Sequence, residues 1–198
     1  MNRADLAGLA ASRLAHDLAG ALGAIGGGAE LMADEEDAGE LRALAGSIAD
    51  AARAATLRLR FWRLALGGAA QGEPIPAAEA RVALRDWLGG GVTLDWEVTA
   101  GMLPRARGRA LLCLAATAAE AMPAGGRMRV TDDAVDAQGP GVALPDPARR
   151  ALAGDAPDAL ARQAPALIAA ALAGAGGVHV EESVGRLRLA LGPDQASA

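Results

Sequence analysis

The chain has 198 residues and a formal net charge of −5. This length suits one or two compact domains, and the acidic balance argues against broad nucleic-acid binding, which relies on a basic surface that neutralises phosphates. Apolar residues make up 52% of the chain, with one Phe, three Trp and no Tyr. Because alanine dominates this apolar fraction, we expect helices that pack through small side chains.

The cysteine content and the apolar segments bear on the compartment. Cys113 is the lone cysteine, so no internal disulfide can form, and no signal-type segment is present. The longest uncharged stretch near the N-terminus, Leu18 to Ala29, is about a dozen residues, whereas a membrane-spanning helix needs roughly 20. These observations predict a cytoplasmic protein without a membrane helix.

The first predicted elements are two long helices. A helix is expected from Asp5 to Ala33, where apolar residues recur at steps of three and four, the spacing of one helix face. They are Ala7, Ala11, Leu14, Leu18, Leu22, Ile25, Ala29 and Met32. The acidic run 34–37 ends this helix. A second series of the same kind follows at Leu41, Leu44, Ile48, Ala52, Ala55, Leu59, Trp62 and Leu66. The two series predict an antiparallel helical hairpin.

The second helix carries a further apolar stripe at Leu57, Phe61 and Leu64. One partner helix cannot cover this much apolar surface. A second hairpin packed alongside would cover it, so the stripe predicts a homodimer built around a four-helix bundle.

Residues 67–76 are rich in Gly and Pro and have the composition of a linker. Beyond them, helical and strand patterns mix. Helices are expected at 77–88, 106–122, 146–153 and 159–173, and strands at 92–98, 127–132, 142–144, 178–184 and 186–191. The prediction is an α+β chain with two domains: a helical hairpin in residues 1–70, and an α/β sandwich in residues 75–194 with its helices on one face of a sheet.

His16 is the first candidate functional residue. At 100° per residue, Leu14, Leu18 and Ile25 lie within about 20° of the pole opposite His16, so its imidazole points away from the hairpin core. Five residues lie within about 40° of it along the helix surface: Leu9, Ser12, Gly20, Gly23 and Gly27. Glycine within a helix costs about 1 kcal/mol relative to alanine. A partner that approaches the helix closely would explain these glycines.

Geometry alone leaves a plainer interpretation open. His16 would then be an ordinary surface histidine, and the glycines would mark an interrupted helix. Asp17 would likewise be a solvated carboxylate, since neighbouring helix positions lie 100° apart. Arg13, one turn before His16, would be a surface arginine rather than a group that binds phosphate or an acidic partner.

Three segments, residues 12–18, 20–27 and 59–67, together resemble the ChpT-type bacterial histidine phosphotransferases. These proteins are relatives of sensor histidine kinases. The resemblance covers the whole chain and implies a dimerisation and phosphotransfer hairpin, followed by a degenerate kinase-like ATPase domain.

The resemblance implies a phosphorelay. His16 would accept a phosphoryl group from the aspartate of one receiver domain and pass it to another. Asp17 would orient the ring and stabilise its charge. The partner would dock on Leu9, Ser12, Arg13, Gly20 and Gly23. The implied partners are a CckA-like hybrid kinase receiver and CtrA-like and CpdR-like response regulators, and Mg²⁺ would come from the receiver's carboxylates.

The resemblance also indicates that kinase activity is lost. An active kinase of this lineage has asparagines where this chain has Cys113 and Thr117, which are poor ligands for Mg²⁺. Residues 136–141 match the adenine-binding loop of these kinases only in part. Gly20 stands where bifunctional kinases have the residue that positions a hydrolytic water. No cofactor or metal of its own is therefore expected. The alternatives are a non-catalytic dimeric scaffold that binds receivers, and a residual ATP-dependent kinase.

Overall fold

The computed structural model describes residues 2–67, 72–156 and 158–193. Its helices are α1 (Arg3–Asp34), α2 (Ala38–Ala65), α3 (Ala77–Leu88), α4 (Arg105–Glu120), α5 (Asp146–Leu152) and α6 (Ala164–Ala173). Its strands are β1 (Ile75–Pro76), β2 (Val92–Trp96), β3 (Met102–Leu103), β4 (Gly126–Val130), β5 (Ala134–Gln138), β6 (Val178–Ser183) and β7 (Arg186–Leu191). The predicted α+β class, with an N-terminal hairpin before a sheet region, is confirmed.

The two hairpin helices begin at side-chain caps. Asn2 and Asp5 form a reciprocal capping box at the start of α1, in which each side chain accepts from the other's backbone N–H. Asp37 caps α2 by accepting from the backbone N–H groups of Gly39 and Glu40. The acidic run therefore separates the helices because one of its carboxylates starts the next helix. Within the described residues, no helix has the length and apolarity required to span a membrane.

The hairpin interface differs in part from the predicted helix face. Leu14, Leu18 and Ile25 are half-buried as expected, but Leu22 is 58% exposed and Ala21 is buried. Gly28 also faces α2, because a Cβ built on it would lie 2.7 Å from the Ile48 side chain. The inward face thus passes through small residues, which let the two helices approach closely, and the prediction that Leu22 faces inward is wrong.

The five-stranded sheet has the order β2-β4-β5-β7-β6. β2 pairs with β4 in parallel and the remaining neighbours are antiparallel. Helices α4 and α6 cover one face. The other face carries a row of alternating charges across the five strands, formed in register by Asp95, Arg129, Asp136, Arg188 and Glu181. This alternation of an apolar face and a charged face is typical of a sheet covered on one side.

Two local predictions in this region are wrong. Residues 142–144 form a loop, with Val142 and Leu144 buried, rather than a strand. The strand that pairs antiparallel with β4 is β5, an alanine-rich segment that lacks most of the residue types favoured in strands. The end of the predicted linker is also ordered, because Ile75 and Pro76 pair with Met102 and Leu103. Residues 68–71 of that linker lie outside the described residues.

A single hydrophobic core connects the hairpin to the sheet region. Phe61, Trp62 and Ala65 near the end of α2 are buried in the same cluster as α3 and α4. Phe61 stacks on Trp87 with ring centroids 4.4 Å apart. Phe61 therefore packs within the chain, and the prediction that it forms part of a stripe facing a second hairpin is wrong. The division into domains 1–70 and 75–194, whose ends at residues 1, 68–70 and 194 are not described, stays a prediction.

Candidate functional site

His16 lies in the first half of α1 and points into solvent. Its side chain is 83% exposed. This exposure agrees with the helical-wheel prediction, which places the imidazole opposite the apolar residues that face α2. The ring is therefore accessible to a reaction partner.

Asp17 is held firmly beside the imidazole. Its side chain is only 12% exposed, and its Oδ2 accepts a hydrogen bond of 2.8 Å from the indole Nε1 of Trp62 on α2. The other oxygen, Oδ1, lies 3.5 Å from Nδ1 of His16. A proton on Nδ1 would point at this carboxylate, leaving the Nε2 lone pair free to act as a nucleophile. The solvated-carboxylate interpretation of Asp17 is thus wrong.

Arg13 contacts both Trp62 and Asp17. Its guanidinium lies 5.3 Å from the Trp62 ring centroid. Its Nε lies 3.2 Å from Asp17 Oδ1 as an ion pair without hydrogen-bond geometry. Its Nη1 donates to Oε1 of Glu120 at the end of α4. Arg13 is 9% exposed. Its guanidinium therefore makes its contacts within the chain. The prediction that Arg13 is a docking residue is corrected accordingly: Arg13 is a buried residue that pairs with Glu120 and Asp17.

Glu120 sits in an unfavourable environment for a charge. Burial raises the pKa of its carboxyl above the usual 4.5, while the charge and hydrogen bond of Arg13 oppose this rise and the charge of Asp17 adds to it. An ionised carboxylate with a raised pKa is less stable in the folded chain than in the unfolded chain. Glu120 therefore lowers stability at neutral pH, as groups at functional sites often do.

This pKa predicts a pH-dependent effect of Glu120→Gln on thermal stability. Where the folded carboxyl holds its proton more tightly than the unfolded one, the stability of the wild type falls as pH rises. The melting temperature of Glu120→Gln minus that of the wild type should thus increase from pH 4 to pH 7, as measured by circular dichroism.

The matched control is Glu182→Gln, for which the opposite sign is expected. The backbone N–H of Leu144 and the Arg149 side chain lower the pKa of Glu182, so its charge stabilises the fold as pH rises. The melting temperature of this variant relative to the wild type should fall over the same range. A pH-independent difference for Glu120→Gln would contradict the assigned environment.

His16 lies on a ridge between two surface grooves. The first groove runs between the hairpin helices and α3, and it is lined by His16, Asp17, Gly20, Ala21, Ala51, Ala54, Arg58 and Trp87. The second lies between α1 and the segment around α5, and it is lined by Ser12, Arg13, His16, Glu120, Pro145, Pro147, Ala148, Leu160, Ala161, Arg162 and Gln163. A partner seated on either groove would contact His16.

The other predicted docking residues fall into two groups. Ser12, Gly20 and Gly23 are exposed, and a Cβ built on either glycine would meet nothing within 4 Å. Packing within the described part of the chain therefore does not require these two glycines. Leu9, in contrast, is half-buried and packs against the hydrophobic core. The structure thus assigns Leu9 mainly to packing.

The two α4 residues that the resemblance compares with nucleotide-binding asparagines of kinases are buried in the fold. Cys113 and Thr117 are both buried in α4, and burial raises the pKa of the Cys113 thiol to about 12. Asp136 is the first residue of the segment 136–141 that was compared with the adenine-binding loop. It lies within β5 and accepts hydrogen bonds from Arg129 and Arg188. The interpretation of residues 136–141 as a loop is therefore wrong at its first residues.

Sequence reasoning missed several members of the site. Trp62 was expected only as a hairpin core residue, and Glu120, Arg58 and Trp87 were not singled out. Glu120 had a recognisable signal, because it is the acidic residue at the end of a helix whose second half is otherwise rich in alanine and leucine. Such a residue can pair with a basic side chain of a neighbouring element.

Comparison with known proteins identifies the family. A family model described as the histidine phosphotransferase C-terminal domain matches residues 77–185. The chain belongs to this family. The ChpT-type resemblance is thereby confirmed. The matched residues cover α3 to β6 and do not include the hairpin that carries His16, so the role of His16 rests on the site geometry.

Two known proteins are similar to this member of the family. The protein phosphotransferase ChpT of Brucella abortus (strain 2308) is 34% identical over 128 residues, which are 64% of this chain and 60% of that protein. The match thus spans less than two thirds of the relative's length. A solved structure of a bacterial phosphotransferase is 25% identical, covers 96% of both chains and superposes with a TM-score of 0.81.

Proposed function

We propose that the chain is a histidine phosphotransferase of a two-component phosphorelay, in which His16 carries the phosphoryl group between receiver-domain aspartates. The observation that carries this proposal is an exposed imidazole with a buried, hydrogen-bonded carboxylate against its Nδ1. An arrangement of this kind activates a neutral histidine as a nucleophile. Family membership supports the same chemistry.

The proposed transfer balances without a cofactor of the chain itself. The Nε2 lone pair attacks phosphorus, the bond between phosphorus and the donor's aspartate oxygen breaks, and the carboxylate leaves with the electron pair. Asp17 holds the Nδ1 proton and stabilises the positive charge that the ring acquires. Onward transfer reverses these steps with an acceptor aspartate. Mg²⁺ bound by the receiver would neutralise the carboxylate and phosphoryl oxygens.

We further propose that the chain does not use ATP. Cys113 and Thr117 are buried side chains, and neither is a good ligand for Mg²⁺. Calorimetric titration with ATP and Mg²⁺ tests this, and measurable binding would favour the residual-kinase alternative.

The proposed partners are receiver domains, with a CckA-like donor and CtrA-like and CpdR-like acceptors. We place the relay in the cytoplasm, where a single free cysteine such as Cys113 stays reduced.

A homodimer is also proposed, because Leu22, Leu31 and Leu59 of the hairpin are 58%, 63% and 40% exposed. Sedimentation analysis tests the dimer.

The proposed function is tested by reconstituting the relay. The chain is mixed first with a receiver phosphorylated on its aspartate and then with an acceptor receiver. We expect phosphate on this chain that is labile to acid and stable to base, followed by its appearance on the acceptor. Binding of the receivers without any trapped phosphate would instead favour the non-catalytic scaffold.

Arg58 provides a prediction about the first groove. It lines this groove together with His16 and Gly20, and no ion pair or hydrogen bond engages it among the described residues. A cation there would stabilise the charge on a phosphoryl group in transfer. Arg58→Ala is therefore expected to slow transfer to His16 about 10-fold to 100-fold, measured by rapid quench.

The matched control is Arg53→Ala, which removes an arginine that is also on α2 but pairs with Asp50. This variant should transfer at the wild-type rate. Equal rates for Arg58→Ala and Arg53→Ala would show that Arg58 plays no part in the reaction.

A further inference from the structure

A cluster of one cation and two carboxylates lies next to His16. Arg13 lies between Asp17, on its own helix, and Glu120, at the last residue of α4. These three side chains are 11%, 12% and 31% exposed. Arg13 and Asp17 are poorly solvated and therefore interact strongly, whereas Glu120 keeps part of its surface in water.

The guanidinium of Arg13 makes different contacts with the two carboxylates. Its Nη1 donates to Glu120. Towards Asp17 it presents only Nε, at 3.2 Å and without hydrogen-bond geometry. A guanidinium turned fully towards Asp17 could instead donate a hydrogen bond to Oδ1 in good geometry. The hydrogen bond to Glu120 holds Arg13 in its observed orientation.

The two Asp17 oxygens have different contacts, and only one of them is available to His16. Trp62 occupies Oδ2 with a hydrogen bond of 2.8 Å. Oδ1 is the oxygen that faces both Nδ1 of His16, at 3.5 Å, and Nε of Arg13. An Arg13 that donated a hydrogen bond to Oδ1 would compete with the Nδ1–H of His16 for that oxygen.

We propose that Glu120 is a positioning residue for phosphotransfer: by holding Arg13 at the end of α4, it keeps Asp17 Oδ1 available to the Nδ1–H of His16. The proposal deepens the proposed function and rests on it for its biological meaning. It also makes the sheet region a determinant of His16 reactivity, because α4 belongs to the part of the chain that packs on the sheet. Asp17 and Arg162 are the other charged groups that act on Glu120.

The experiment compares the full-length wild type with Glu120→Gln, which keeps the side-chain shape and removes its charge. Two readouts avoid the need for a receiver. Phosphoramidate phosphorylates histidine directly: the bond between phosphorus and its amide nitrogen breaks, the nitrogen leaves as ammonia, and a bond to imidazole Nε2 forms. Nitrogen NMR of the His16 ring reports which nitrogen carries the proton.

We expect Glu120→Gln to lower the saturating rate of phosphorylation about tenfold with little change in the half-saturating phosphoramidate concentration. The NMR spectrum should show fewer His16 rings protonated on Nδ1. Asp17→Asn should show the same shift with a larger loss of rate, about 100-fold. Glu97→Gln is the matched control, since it also removes a carboxylate paired with an arginine, on the open face of the sheet, and should match the wild type.

Removing Arg13 gives an independent check. In Arg13→Gln the competitor for Oδ1 is absent, so adding Glu120→Gln should have no further effect on rate or on ring protonation. Additive losses, or a Glu120→Gln ring that is protonated as in the wild type, would overturn the proposal. If instead the phosphoramidate results are as expected and no receiver exchanges phosphate with His16, the proposed function fails and the positioning role of Glu120 stands.

Discussion

His16→Gln is expected to eliminate the relay. Glutamine retains hydrogen-bonding capacity but has no lone pair comparable to that of imidazole nitrogen, so no phosphoryl intermediate can form on it. Loss of a catalytic nucleophile typically lowers rates by about 10⁶-fold, which here means no transfer above background. Because the His16 side chain is 83% exposed, the substitution should leave the fold and its thermal stability nearly unchanged.

The second histidine supplies the control for this result. His179 lies in β6 on the exposed side of the sheet edge, with no carboxylate contact comparable to that of His16 among the described residues. His179→Gln should therefore relay phosphate at the wild-type rate. The measurement is label transfer from a phosphorylated receiver through this chain to an acceptor. Undiminished relay by His16→Gln would refute the assignment of the phosphate carrier.

Phe61→Ala is expected to produce the largest loss of stability. Phe61 is fully buried, stacks on Trp87 and contacts Trp62 edge to face, with centroids 4.9 Å apart. Truncating such a ring costs about 3–5 kcal/mol, a large share of the roughly 5–15 kcal/mol that typical domains have. Urea unfolding should show this loss as a lower midpoint.

The same variant also distinguishes the two places in which Phe61 was expected to pack. If Phe61 faced a second hairpin, Phe61→Ala would weaken self-association and leave the protomer stable. The intramolecular packing predicts the reverse order, with loss of protomer stability even at low concentration. Val184→Ala, at a fully exposed turn position, is the control and should change stability by less than about 0.5 kcal/mol.

Loss of the Phe61 ring should also disturb the surroundings of His16. Phe61 precedes Trp62 in α2, and Trp62 donates the hydrogen bond that holds Asp17. The aromatic cluster thus fixes the orientation of a carboxylate that contacts His16. Phe61 is thus linked to the surroundings of His16 through the indole N–H of Trp62.

Local patterns predicted most of the helices and the final β-hairpin. The expected helix at 77–88 agrees with α3, and the strands expected at 178–184 and 186–191 agree with β6 and β7 to within a residue. Failures occurred where the local signal is weak. β5 is rich in alanine and was not predicted, whereas a strand was predicted at residues 142–144, which are apolar but form a loop.

The sequence by itself determined the exposure of His16 and the open glycines beside it. Both follow from helical rotation within one element, which needs no knowledge of how that element packs. The family resemblance was also recognisable from the sequence, because it depends on residues 12–18, 20–27 and 59–67, which can be compared without a structure. The neighbouring Asp17 was selected for its chemistry, and its role stays a prediction, but its burial was not foreseen.

Only the tertiary structure decided what Arg13 and Asp17 contact. Their partners are Trp62, 45 residues away from Asp17, and Glu120, 107 residues away from Arg13. Periodicity describes which face of a helix is apolar, whereas these contacts depend on how α1, α2 and α4 pack around a shared core. The physical reason is that a polar side chain on an inward face can be buried only where another element supplies its hydrogen-bond partner.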